Sequence, residues 1–437
     1  MTGAAQTRRL VSFSSGAEKV IAVHAAFGSD SLQDGAAEEI DALVKSAGGT
    51  PAGHVFQHRH APDPSSFVGS GKVDEIRSAA EAAGADTLVF DANLSPGQVS
   101  RLEETTGCKV IDRTELILTI FALHARTAES RLQIELAQLR YALPRLTGMW
   151  HHLSRLGGGI GTRGPGETQL EVDRRRARRR IRFLEEQMES IEGQRVLRSE
   201  RRRSAFQVAL VGYTNAGKST LMNALCGAGV SAEDKLFATL DTVSRKLYGE
   251  GAGRVVLSDT VGFIDRLPEE LVASFRSTLA AVREANLLLV VGDLSHPCRD
   301  RHMEAVRETL DEVGAGTIPR IVVWNKLDLA PGTMPMDGVA VSAATGAGLG
   351  ALVDEIVKFR DSVLHWFSLE LDEEDGALLN WLHENCSVKS VVRRGELVSV
   401  LAGSPMPEGR LRARLSESRA GWRLAEAPGA GAGAADG

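Results

Sequence analysis

The stretch Gly212-Tyr-Thr-Asn-Ala-Gly-Lys-Ser-Thr220 has the residue types and spacing of a loop that wraps a phosphate. Its glycines let the backbone N–H groups of Tyr213, Thr214, Asn215, Ala216 and Gly217 turn inward around a β-phosphate. Lys218 can neutralise the β and γ oxygens, and the hydroxyl of Ser219 can bind Mg²⁺. Such a loop needs a buried strand before it and a helix after it. The apolar run 206–211 and the helical start 220–225 supply both.

Three further segments follow in the order that guanine recognition requires. Asp259, Thr260, Val261 and Gly262 come after the apolar run 255–258. The aspartate can hold Mg²⁺ through water, and the Gly262 N–H can meet a γ-phosphate. Asn325, Lys326, Leu327 and Asp328 come after the run 320–324. A carboxylate at Asp328 can accept hydrogen bonds from N1–H and the 2-amino group of guanine, a pair of donors that adenine lacks. Asn325 would brace that loop, and the stem of Lys326 would cover the base. Ser342, Ala343 and Ala344, after the strand-like 339–341, would present backbone N–H groups to guanine O6. The four elements together select GTP, with Lys218 and Gly262 as catalytic groups beside the transferred phosphate.

The residue after Gly262 is Phe263, where many GTPases carry a glutamine that orients the attacking water. A phenyl ring cannot hydrogen-bond water. Hydrolysis by the chain alone is therefore expected at roughly 10⁻³ s⁻¹ or below. Either Asp265 substitutes from the same loop, or a partner completes the site.

The elements that must position these residues are legible in outline. Residues 204–362 alternate helices with short apolar runs that lack alternation, as in strands buried on both faces of a doubly wound α/β sheet, and form a P-loop GTPase domain. Residues 1–114 read as an N-terminal α/β domain with strands at 20–26, 87–90 and 109–111 and helices at 35–47, 73–83 and 95–105. Within it Gly69-Ser-Gly-Lys72 only superficially resembles a second phosphate loop. Val73 stands where a metal-binding hydroxyl belongs, so a turn before a helix is expected.

Residues 115–203 read as a helical hairpin. Leu132, Leu136, Leu139, Leu143 and Leu146 form one apolar stripe, and Leu170, Ala177, Ile181, Leu184, Met188 and Ile191 another. Pro144 should kink or end the first helix, and the glycine-rich 156–167, which includes Arg163, should form a flexible tip. Residues 363–425 read as a small C-terminal α+β domain. The Gly/Ala-rich tail 426–437 has nothing to bury and is expected to be disordered.

An apolar share of 43% and a charged share of 25% over 437 residues describe a soluble chain of several domains. Cys108, Cys226, Cys298 and Cys386 have no metal-ligand spacing and read as reduced thiols of a cytoplasmic protein. No membrane span or export segment is expected, and a monomer is. Net charge is −6, yet residues 150–203 carry 14 Arg against 8 acidic residues. Arg174, Arg175, Arg176, Arg178, Arg179, Arg180 and Arg182 place seven guanidinium groups in nine positions. At about 100° per residue they surround a helix, so no single acidic surface within the protein can pair with all of them. A phosphate backbone is the fitting partner. Without interleaved aromatic residues, folded RNA is favoured over single strands, and DNA is not expected.

The whole chain resembles the HflX family of ribosome-associated GTPases, within the translation-factor class. The resemblance is carried by V-G-S-G-K-V-D-E-I, I-D-R-T-E-L-I-L, I-E-L-A-Q-L-R-Y, G-G-G-I-G-T-R-G-P-G-E-T-Q-L-E, G-Y-T-N-A-G-K-S-T-L, L-F-A-T-L-D and D-T-V-G-F. It implies an N-terminal domain and hairpin, Arg163 and the arginine run included, that bind rRNA of the large ribosomal subunit. It also implies a GTP-dependent role in splitting or rescuing stalled ribosomes. It places the second metal-binding threonine at Thr239, within a nucleotide-contacting switch of Phe237, Ala238, Thr239, Leu240 and Asp241. Thr242-Val243 stands where the family usually has Pro-Thr, and 291–297 departs modestly from the family's acidic-serine run. The alternative is an rRNA-binding scaffold or assembly factor in which hydrolysis only times release.

Overall fold

The computed structural model describes residues 18–28, 35–145, 165–202, 205–227, 237, 243–248, 255–264, 280–333, 335, 337–372, 376–395, 397–406, 408–416 and 421–424. The expected glycine-rich tip and C-terminal tail lie outside them. The described residues fall into two compact units. One comprises the chain up to Ile191 together with Phe237, and the other the remainder.

The first unit opens with β1 (Lys19–Phe27), α1 (Ala36–Ser46), β2 (Thr50–Arg59), α2 (Ser70–Ala83), β3 (Thr87–Phe90), α3 (Pro96–Thr106), β4 (Lys109–Asp112) and α4 (Arg113–His124). All four strands are parallel, in the order β2-β1-β3-β4. Ile21 and Val23 of β1 share a core with Val73, Ile76 and Ala80 of α2, because alternate residues of a strand face the same layer. Strand β2 was not anticipated. Its Thr-Pro-Ala-Gly-His-Val-Phe-Gln-His-Arg has neither alternation nor an apolar run, and its proline is tolerated because it lies at the sheet edge. Gly69 is the N-cap of α2, and Lys72 pairs with Glu75 at 2.6 Å, so Gly69-Ser-Gly-Lys72 is the expected turn into a helix.

Helix α4 falls inside the span assigned to the hairpin but packs with the α/β layers. Leu116, Ile117, Leu118, Ile120 and Phe121 are all buried, leaving no polar stripe for solvent. Asp112 caps it through the Glu115 N–H at 2.8 Å. The buried Arg113 ties it to Asp91 at 2.5 Å and also to Glu39. The hairpin begins only at α5 (Ala128–Arg145), which ends one residue after Pro144, and returns through the 38-residue α6 (Pro165–Arg202). Leu136, Leu139 and Leu184 form its core with Leu132 and Ile181 against them. Arg180 pairs with Glu135 at 2.7 Å, and Arg140 with Glu185 at 2.7 Å, across the two helices.

The second unit contains β5 (Phe206–Gly212), α7 (Lys218–Cys226), β6 (Val243–Lys246), β7 (Val255–Asp259), α8 (Ala280–Arg283), β8 (Leu287–Asp293), α9 (Arg299–Glu312), β9 (Arg320–Asn325), β10 (Val339–Ala340) and α10 (Leu349–Val363). Its six-stranded sheet has the order β10-β9-β8-β5-β7-β6, parallel except for β6. Then follow β11 (His365–Asp372), α11 (Gly376–Asn385), β12 (Ser387–Arg394), β13 (Leu397–Ser404), α12 (Glu408–Ser416) and β14 (Gly421–Leu424). These strands pair antiparallel in the order β12-β13-β11-β14, the split β-α-β arrangement. No helix among the described residues is long and apolar enough to cross a membrane. All four cysteines are free thiols.

Leu184 is the fully buried centre of the hairpin core. Leu184→Ala should destabilise the first unit by about 2–4 kcal/mol in urea unfolding. A loss under about 0.5 kcal/mol would show that these helices do not depend on each other.

Candidate nucleotide site

Strand β5 delivers Gly212 to the middle of the six-stranded sheet, and α7 begins six residues later at Lys218. The loop between them is shaped by close approaches. Gly217 has φ 85°, and a Cβ there would lie 2.3 Å from Asn325 Nδ2. A Cβ on Gly262 would come within 2.8 Å of Thr214 Cγ2 and 3.1 Å of Lys218 Nζ. Glycine is required at both places by space, and at Gly217 also by backbone conformation.

Lys218 is buried, and its Nζ donates to Gly212 O at 3.1 Å and Tyr213 O at 2.8 Å. Burial pushes its ammonium pKa down to about 8, against the opposing pull of Asp259. Ser219 Oγ donates to Asp259 Oδ2 at 2.6 Å. The Thr214 hydroxyl is buried without a hydrogen-bond partner among the described residues. A hydroxyl and a carboxylate meeting at one point form a hard oxygen donor set that fits Mg²⁺, and the orphaned Thr214 oxygen fits a polar ligand in the loop.

Phe263 is stitched to the same loop. Its N–H donates to Gly212 O at 3.0 Å, and its carbonyl accepts from Thr214 N at 2.7 Å. The ring is 2% exposed and lies in the protein interior. Tyr213 stacks on His302 of α9 at 3.8 Å with planes 6° apart, and His302 meets His296 at 4.4 Å. Nothing in the sequence pairs these rings with the phosphate loop, since they come from separate crossovers.

The Asn325–Asp328 loop and the loop after β10 meet the phosphate loop. Asn325, at the end of β9, donates from Nδ2 to Ala216 O at 3.0 Å and accepts from Ala343 N at 3.0 Å. The exposed Asp328 carboxylate accepts from Ser342 Oγ at 2.5 Å, and that oxygen accepts from Thr345 N at 3.1 Å. Lys326, with left-handed φ 62°, pairs with Asp293 Oδ2 at 2.7 Å. Burial raises the Asp293 carboxyl, but hydrogen bonds from Lys326 and Ser295 outweigh it and hold its pKa below the usual value. Two contributions were missed in the sequence: the Ser342 hydroxyl as the orienter of Asp328, and Asp293 as the anchor of Lys326.

The structure thus brings together residues 212–219, 259–262, 325–328 and 342–344. Phe237 falls instead in the first unit, where its ring packs on Phe121. Ala238, Thr239, Leu240, Asp241, Asp265 and Arg163 lie outside the described residues.

A phosphate loop between the central strand and its helix, braced by an Asn-Lys-x-Asp loop, defines a P-loop GTP-binding protein. Family models agree in three consecutive blocks: "GTP-binding GTPase N-terminal" over residues 34–122, "GTP-binding GTPase Middle Region" over 124–202, and "50S ribosome-binding GTPase" over 207–326. GTPase HflX of Escherichia coli is 43% identical over 399 residues, covering 86% of this chain and 93% of the relative. GTPase HflX of Alkalihalophilus pseudofirmus is 45% identical over 347 residues, covering 78% and 82%. A GTP-binding protein from Sulfolobus solfataricus, solved in complex with GDP, aligns over 78% of this chain and 98% of its own at 25% identity and TM-score 0.42. The chain belongs to the HflX family of GTPases.

Two outcomes follow from the geometry. Phosphate restores the charged form of Lys218, so nucleotide binding above about pH 8 should take up a proton, and affinity should fall by up to about tenfold per pH unit there while staying level near neutrality. Calorimetry in buffers of different ionisation enthalpy reads the uptake; its absence at about pH 8.5 would refute the assignment. Ser342→Ala leaves Asp328 without its orienting donor and should weaken GDP binding by about tenfold, measured with a fluorescent nucleotide. Unchanged affinity would remove Ser342 from the site.

Proposed function

We propose that this chain binds and hydrolyses GTP, slowly by itself, and does so in association with the large ribosomal subunit, where it splits or rescues stalled ribosomes. Lys218 and the Gly262 N–H meet the β- and γ-phosphates, and Asp328, held by Ser342, reads the guanine edge. Ser219 and, through water, Asp259 would hold Mg²⁺, with Thr239 as the second hydroxyl ligand; when bound, the ion would supply charge neutralisation at the transferred phosphate. The four free thiols fit a reducing cytoplasm.

The observation that carries the ribosomal part is the arginine-dense stretch of α6. Among the described residues, only Arg176 and Arg180 of the seven have a carboxylate within ion-pair distance, at 3.5 Å to Asp173 and 2.7 Å to Glu135. Arg175, Arg178, Arg179 and Arg182 are exposed. A helix carrying that much uncompensated positive charge fits an rRNA backbone. The match of residues 207–326 to a model described as a 50S ribosome-binding GTPase supports the same partner.

The buried Phe263 ring supports slow hydrolysis in isolation and a partner that completes the site. Phosphate release measured with and without purified large subunits tests this. Stimulation of about tenfold or more is expected, and equal rates would sink the reading.

A further inference from the structure

The phosphate loop is shaped through its backbone from several sides. Phe263 closes it between Gly212 O and Thr214 N, Asn325 holds Ala216 O, and Lys218 Nζ spans the Gly212 and Tyr213 carbonyls. Tyr213 is gripped by its side chain as well. Its ring is 6% exposed, and the His302 ring of α9 covers it face to face, with centroids 3.8 Å apart and planes within 6°. The carbonyl of the same residue accepts from Lys218 Nζ at 2.8 Å and from Ala216 N at 3.3 Å. A shift of the Tyr213 ring therefore moves an acceptor of the loop's lysine.

His302 is itself held. Its backbone N–H donates to Cys298 O at 3.0 Å where α9 begins, and the His296 ring meets it at 4.4 Å. His296 Nδ1 accepts from Cys298 N at 3.1 Å, and the His296 N–H donates to Asp293 O at 3.3 Å. Asp293 in turn pairs with Lys326. The turn from β8 into α9 thus reaches the Asn-Lys-x-Asp loop through a carboxylate and the phosphate loop through a ring.

We propose that His302 is a positioning residue for nucleotide binding, acting on the phosphate loop through Tyr213. By covering the Tyr213 ring it keeps the Tyr213 carbonyl on Lys218 in the free protein, so the nucleotide meets a loop already shaped for phosphate. Without the imidazole, a fraction of the free molecules carries that loop, and affinity falls by that fraction. Discrimination between bases, which belongs to Asp328, is untouched. This rests on the reading of Lys218 and Asp328 as phosphate and guanine contacts given under the proposed function. A merely structural role for His302 in the turn would loosen Asp293 and Lys326 too, and guanine preference would fall together with affinity.

The test measures affinities for GDP and for inosine diphosphate, which lacks the 2-amino group, in the full chain with Mg²⁺. It uses wild type, His302→Ala, His302→Leu, His302→Phe, Tyr213→Leu and the double variant Tyr213→Leu with His302→Ala, with thermal unfolding as the fold control. GDP affinity should fall about fivefold in His302→Ala and His302→Leu, while the ratio of GDP to inosine diphosphate affinity keeps its wild-type value. His302→Phe, which keeps a flat ring on Tyr213, should bind within about twofold of wild type. With Tyr213→Leu already in place, His302→Ala should cost nothing further, since both changes remove one contact. If His302→Ala fails to fold, His302→Leu and His302→Phe decide the matter, because both keep the side-chain volume. Unchanged affinity in His302→Ala, a GDP preference that narrows with it, equal binding by His302→Leu and His302→Phe, or multiplied losses in the double variant overturns the proposal alone. Failure of the wild type to bind GDP overturns the reading of the nucleotide site and the proposal with it.

Discussion

The side-chain amide of Asn325 makes two hydrogen bonds at once, donating to Ala216 O and accepting from Ala343 N, each at 3.0 Å. Those partners lie in the phosphate loop, 109 residues back, and in the loop after β10, 18 residues on, so one buried side chain joins three loops. Removing it would orphan a buried carbonyl and a backbone N–H, at about 1–3 kcal/mol each. The join also explains the residue across from it. Gly217 must be glycine because the amide already occupies the space a Cβ would need. The left-handed turn at Lys326 then follows, with Asp293 holding the ammonium on the adjacent strand. The phosphate loop and the Asn-Lys-x-Asp loop are therefore one mechanical frame, and Ser342 holds the exposed Asp328 on the same frame.

Much of this was readable beforehand, and the parts that were not have definite causes. Strands buried in the middle of the sheet, such as β5, are largely apolar, and the run 206–211 falls one residue short of the strand Phe206–Gly212. Strand β2 is illegible in the sequence because an edge strand is not obliged to be apolar, and four of its ten residues are histidine, proline or glycine. Helix α4 was assigned to the hairpin because it follows the last strand without a loop; only its all-round burial shows that it closes the α/β layers. Ser342 was credited with a backbone contact, whereas its hydroxyl is what orients Asp328. Hydrogen bonds between residues distant in sequence have no periodic signature, so such partnerships appear only once the sheet order is known.

The arginine run shows how a local count can overstate free charge. Arg180 reaches back to Glu135 through Nε and Nη2 at 2.7 and 2.8 Å, and its guanidinium lies 5.3 Å from the Phe183 ring. That arginine does structural work in the hairpin as well as adding to its field. Being bidentate, the pair is stronger than a typical exposed one, though still screened by salt. The stripe of leucines and the cross-helix ion pairs set the register of α5 on α6, and the remaining arginines point outward because the register leaves them nowhere else. Their charge is thus organised by the apolar stripe, which is why both signals occupy one segment.

Phe263 links the architecture of the site to its chemistry. Its backbone closes the phosphate loop through two hydrogen bonds that any residue could make, so the order of the loop does not depend on the phenyl ring. The ring, however, is buried, and a glutamine in the same place would have to bury an amide with two donors and an acceptor. Leaving those unsatisfied costs about 1–3 kcal/mol each, more than a marginally stable loop readily tolerates. The position therefore cannot supply the water-orienting group without the loop changing shape. A phosphate loop closed through the Phe263 backbone, an Asn-Lys-x-Asp loop braced on it and an apolar ring at that point make a GTP site with no water-orienting side chain at position 263.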